Sequence, residues 1–101
     1  MNANFEKNNP LNIQLAKDAH HKDAEQSNDL EVAICHTLYS RHPDAMEDVV
    51  FLRAAKTAGF TEEFQSVIHD LHRRGIVRKD VMGNRNLYSL TREFADIMRN
   101  L

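Results

Sequence analysis

Apolar residues recur at helical spacing along most of this chain and switch to strict alternation only between Ile76 and Leu90. Leu30, Ile34 and Leu38, with Val32, Cys35 and Tyr39, mark one helix. Its start is set by Ser27-Asn28-Asp29, whose side-chain oxygens accept the orphan amides of a first turn. Its end is set by His42-Pro43, because the residue before proline is pushed out of the helical region. Val49, Leu52, Ala55 and Ala58, widened by Val50 and Phe51, predict a second helix from Pro43 to Gly59, with Asp44, Glu47 and Asp48 favouring its positive end. Phe60-Thr61 then forms a tight turn. Thr61 caps a third helix from Glu62 to Arg74, whose core face is Phe64, Val67, Ile68 and Leu71.

Gly75 stops that helix, since a left-handed residue is usual just past a helix end. Two short strands come next, Ile76 to Val81 and Asn86 to Leu90, joined at Gly83-Asn84, which supply the positive φ angles of a tight hairpin. Thr91 caps a closing helix with Phe94, Ile97, Met98 and Leu101 as its apolar positions.

Residues 1–28 differ. They are rich in Asn, Lys, Asp and His. Asn9-Pro10 reads as a cap followed by proline at the first helical position, which places Leu11, Leu15 and Ala19 on one thin stripe. A stripe that narrow buries little alone. The expectation is a flexible tail or a dimerisation arm at 1–28, followed by one folded domain at 29–101.

Composition narrows the function classes. A length of 101 residues with 42% hydrophobic and 28% charged side chains suits one small domain. No apolar run is long enough to span a membrane, and the first residues lack an apolar signal region, so a cytoplasmic protein without membrane contact is expected. Cys35, the single cysteine, sits among apolar neighbours and reads as a buried, inert thiol. No nucleophile–histidine–acid arrangement, phosphate loop or dinucleotide fingerprint is present, so neither an enzyme nor a cofactor is expected. His69 and His72 lie three apart on one helix, but nothing completes a zinc-ligand spacing, so no metal is expected.

Net charge is −2, yet its distribution is uneven. Between His72 and Arg99 there are seven Lys/Arg against three acids, and between Asp44 and Glu63 five acids against two bases. A basic final third thus follows an acidic middle.

The segments Leu71-His72-Arg73-Arg74-Gly75-Ile76-Val77 and Leu87-Tyr88-Ser89-Leu90-Thr91 resemble the join between recognition helix and wing, and the second wing strand, of winged helix-turn-helix domains of the bacterial transcription-regulator kind. The resemblance covers Asp29 to Leu101. It implies a mostly α fold with a small β wing, in the order α-α-α-β-β-α, preceded by the tail or helical arm. It also implies a regulator binding double-stranded DNA as a homodimer, through the helix at 62–74 and the wing at 76–90. Many such domains carry a glycine three residues after the Leu-Thr pair. Phe94 stands there in this chain, which points to a closing helix with a bulkier face that packs on a partner.

On this reading Gln65, Ser66 and His69 contact base edges, and Arg73, Arg78, Lys79 and Arg85 hold phosphates. The reading needs Arg78 and Arg85 free of internal ion pairs, and a helix face that stays positive despite Glu62-Glu63. The rival is a winged-helix protein–protein interaction module without DNA binding, docking a basic partner on Asp44, Glu47, Asp48, Glu62 and Glu63.

Overall fold

The computed structural model describes residues 5–6, 8–24, 27, 29–47 and 62–101. Among them lie four helices, α1 (Pro10–His20), α2 (Leu30–Arg41), α3 (Glu62–Arg73) and α4 (Arg92–Arg99), and three strands, β1 (Met46–Glu47), β2 (Val77–Met82) and β3 (Arg85–Leu90). The strands form one antiparallel sheet in the order β1-β3-β2.

The caps follow the sequence. Asn9 Oδ1 accepts from the Leu11 amide at 2.9 Å, with Pro10 opening α1. Asp29 accepts from the Glu31 amide at 3.0 Å, opening α2. Thr91 opens α4. Gly75, at φ 75°, ends α3 with both bonds of a Schellman motif. The Ile76 amide donates to the Leu71 carbonyl at 2.9 Å, and the Gly75 amide to the His72 carbonyl at 3.1 Å.

The core is one cluster. Ile34, Leu38, Phe64, Leu71, Ile76, Phe94 and Met98 are fully enclosed, with Val77, Tyr88 and Leu90 closing it from the sheet. Cys35 lies among them, and burial drives its thiol pKa far upward, so the sulfur stays protonated.

Four expectations are corrected. The helix expected from Pro43 does not begin there: Met46 and Glu47 form a strand, pairing with Tyr88 and Leu87. Backbone pairing to β3 and burial of Met46, 4% exposed, outweigh the helix-start signal of the acids. The remainder of that expected helix, the Gly59–Thr61 turn and the Thr61 cap lie outside the described residues. Second, the helix before residue 28 is part of the folded unit. Asn12, Leu15, Ala16 and Ala19 are buried as α1 packs on α2 and α4. The buried stripe is therefore rotated from the expected one, and Leu11 is 72% exposed. Third, the apolar face of α4 is used inside the molecule: Phe94 and Met98 are enclosed, and the Phe5 ring meets Phe94 edge-on at 6.0 Å. A bulky residue at 94 thus fills the chain's own core. Fourth, the strands run one residue longer at the turn than the alternation suggested, because Met82 pairs with Arg85 across Gly83-Asn84.

Candidate nucleic-acid interface

Amphipathicity orients α3. With Phe64, Ile68 and Leu71 buried, Glu62, Glu63, Gln65, Ser66, His69, His72 and Arg73 are exposed. Gln65, Ser66 and His69 therefore share the outward side that base contact requires. The helix is joined rigidly to the hairpin after it. Thr91 Oγ1 donates to the Gly75 carbonyl at 2.7 Å, and the Thr91 amide donates to the Ile76 carbonyl at 2.9 Å. One residue thus ties the turn after α3, immediately before β2 begins, to the start of α4.

Cross-strand register assigns the hairpin side chains to two faces, since directly paired residues point the same way. Val77 pairs with Leu90, Lys79 with Tyr88 and Val81 with Asn86, so these lie on the side carrying the core. Arg78 pairs with Ser89, Asp80 with Leu87 and Met82 with Arg85, on the opposite face, where Glu47 also lies through its pairing with Leu87. The three cations expected to act together are therefore divided. Lys79 extends past the core on the inner side, while Arg78 and Arg85 occupy the outer face.

Those two arginines are not free. Arg85 binds Glu47 with two parallel bonds, Nε to Oε1 at 2.7 Å and an Nη to Oε2 at 2.8 Å. Arg78 Nε lies 3.1 Å from Asp80 Oδ2. Arg73 is bonded to Asp70 one turn earlier on α3. The Arg85 hydrogen bonds hold the Glu47 carboxyl below its ordinary range, and those from Arg73 do the same for Asp70. Both stay anionic at neutral pH. The expectation of unpaired arginines is thus overturned, by carboxylates that strand register and helical spacing bring within reach.

These pairs lie in water, however. The Arg78 and Arg85 side chains are 68% and 64% exposed, and exposed pairs are weak and readily exchanged. Arg74 differs. Its side chain is 24% exposed and reaches Glu31 at 2.9 Å, Asn12 at 2.8 Å and Asp70 at 3.4 Å, linking α1, α2 and α3. It is a structural clamp, not an interface cation.

The carboxylate partners of the candidate arginines are what sequence reasoning missed. Asp80 was within reach of detection, since residues two apart on a strand share a face, here with Arg78. Glu47 carries no local signal, because it reaches Arg85 only through the β1–β3 pairing. Among the described residues no group of three or more His, Cys, Asp or Glu side chains is placed to hold a metal ion, and no helix is long and apolar enough to cross a membrane.

No family model matches this chain, and no curated protein or solved structure is significantly similar to it.

Proposed function

We propose that this chain is a winged helix-turn-helix transcriptional regulator that binds double-stranded DNA as a homodimer. The observation that carries this reading is the joined unit of α3, the Gly75 turn and the β2–β3 hairpin. It supports the exposed polar face Gln65, Ser66 and His69 on a helix that leads directly into a strand bearing Arg78 and Lys79. In this role α3 meets base edges in the major groove, and the hairpin is the wing along the backbone. The ion pairs of Arg78 and Arg85 count against this reading, which had called for free arginines; it is kept because both pairs are exposed and weak, so the arginines exchange a carboxylate for a phosphate beside Lys79. Arg73 does so at the end of the helix. A domain with so few cations gains affinity by doubling its site, which supports the homodimer. Leu11 and Leu101, exposed on α1 and beyond α4, are apolar side chains left for that contact.

A second reading is favoured by a specific observation. Glu62 and Glu63 are exposed at the start of α3, where a DNA backbone would approach, and the outer arginines are already neutralised. A protein-interaction module that docks a basic partner on Glu62, Glu63 and Asp44 fits those features. Asp48 lies outside the described residues, and Glu47 is engaged by Arg85.

Polarisation titration of a random-sequence duplex at two salt concentrations separates the two. The regulator binds at low salt, weakens steeply as salt rises, and loses affinity in Lys79→Ala and in Arg78→Ala/Arg85→Ala. Absence of binding at low salt by the wild type and by variants with the outer arginines released rejects the regulator in favour of the interaction module.

A further inference from the structure

Two carboxylates on the outer face of the sheet hold the two guanidinium groups assigned above to phosphate contact. Glu47 takes the Arg85 guanidinium with both oxygens, the bidentate geometry in which arginine also takes a phosphate. Asp80 takes Arg78 from the same strand at 3.1 Å. Both pairs share one face, set by the pairings of Leu87 with Glu47 and with Asp80. Both arginines remain mostly exposed, so a diffusing polyanion can reach them. The two carboxylates come from different elements, β1 and β2, so the arrangement does not arise from one run of sequence.

We infer that Glu47 and Asp80 are internal phosphate surrogates that hold down non-specific DNA binding by the hairpin. The inference rests on the DNA-binding reading and deepens it by assigning the residues that set its selectivity. Non-specific affinity is almost wholly electrostatic and grows with each phosphate neutralised. An arginine already held by a carboxylate releases fewer counterions on a random duplex, because one anion only replaces another. On a preferred site, contacts from α3 bring the backbone to the hairpin at high local concentration, and the carboxylates are displaced. The pairs therefore lower binding everywhere but cost proportionately less where α3 finds its bases.

The test compares the wild type with Glu47→Gln/Asp80→Asn on a random-sequence duplex across a salt series. Asp18→Asn/Asp23→Asn, at exposed positions on and just after α1, is the control for the same change of two charges, and thermal melts show that each variant folds. The double variant should bind about tenfold or more tightly, with the slope of log affinity against log salt steeper by about two, one for each arginine released. The control should leave the slope unchanged. Binding by the double variant where the wild type shows none also supports the inference. A slope equal to that of the wild type, or a gain no larger than the control's, overturns the inference while leaving the DNA-binding reading intact. Failure of every variant to bind at low salt overturns both.

Discussion

Arg74 and Arg85 show how burial changes the meaning of an ion pair. Both meet carboxylates at hydrogen-bond distance, but Arg85 does so in water and Arg74 does so between three helices. Asn12, 3% exposed, accepts from Arg74 through Oδ1 and donates through Nδ2 to the Glu6 carbonyl at 3.0 Å. Removing the guanidinium leaves a buried amide oxygen and a half-buried carboxylate without a donor. Arg74→Ala should therefore destabilise the protein by about 2 kcal/mol, the typical cost of a buried group left unsatisfied. Arg74→Lys should recover only part of this, because a single ammonium cannot reproduce the fork that spans Glu31 and Asn12. Chemical denaturation of the three proteins measures both effects.

The element that organises the candidate interface is the turn at Gly75. Its φ of 75° disfavours any side chain, and a Cβ there would stand 3.1 Å from the Phe5 Cβ and 3.2 Å from the Phe5 backbone. Gly83 at the hairpin tip also has positive φ, 62°, but a Cβ there would meet nothing within 4 Å. The two glycines thus separate backbone strain from crowding. Gly83→Ala should cost about 1 kcal/mol, the penalty of a left-handed alanine alone. Gly75→Ala should cost distinctly more, because the Phe5 segment must also shift off the turn. Equal shifts in melting temperature for the two variants would show that Phe5 does not pack on Gly75 in solution.

At the scale of the whole molecule, the consequential result is that α1 belongs to the folded unit. Contacts pair its start with the start of α2, through Arg74 between Asn12 and Glu31, and its end with the later turns of α2. There His36 Nδ1 lies 3.0 Å from the Ala19 carbonyl and the His20 ring leans on Tyr39. A helix docked this way contributes to the stability of a single chain. Leu15→Ala should lower stability by about 3 kcal/mol, independently of protein concentration, as expected for a core leucine. Leu11→Ala should be close to neutral for folding. An arm reaching to a second subunit would give the opposite pattern, with the Leu15 effect fading as protein concentration rises. Melting curves over a range of concentrations distinguish the two.

Much of the local structure was legible in the sequence because its causes are local. Asn9-Pro10, Asp29 and Thr91 cap helices through contacts two or three residues away. Gly75 and Gly83 end elements through their own φ, and the period of Phe64, Ile68 and Leu71 determines which side of α3 is exposed. Placement of Gln65, Ser66 and His69 on that exposed side needed nothing more. The pairings between distant segments were decided only by tertiary structure. These include the joining of β1 to β3, which turns Met46-Glu47 into a strand and delivers a carboxylate to Arg85. They also include the choice of Asn12, Leu15, Ala16 and Ala19 as the buried side of α1, and the use of Phe94 within the chain's own core. Capping and periodicity act within a few residues and are written there. Charge neutralisation depends on which residues the fold brings to the same face, and no spacing along the chain records that.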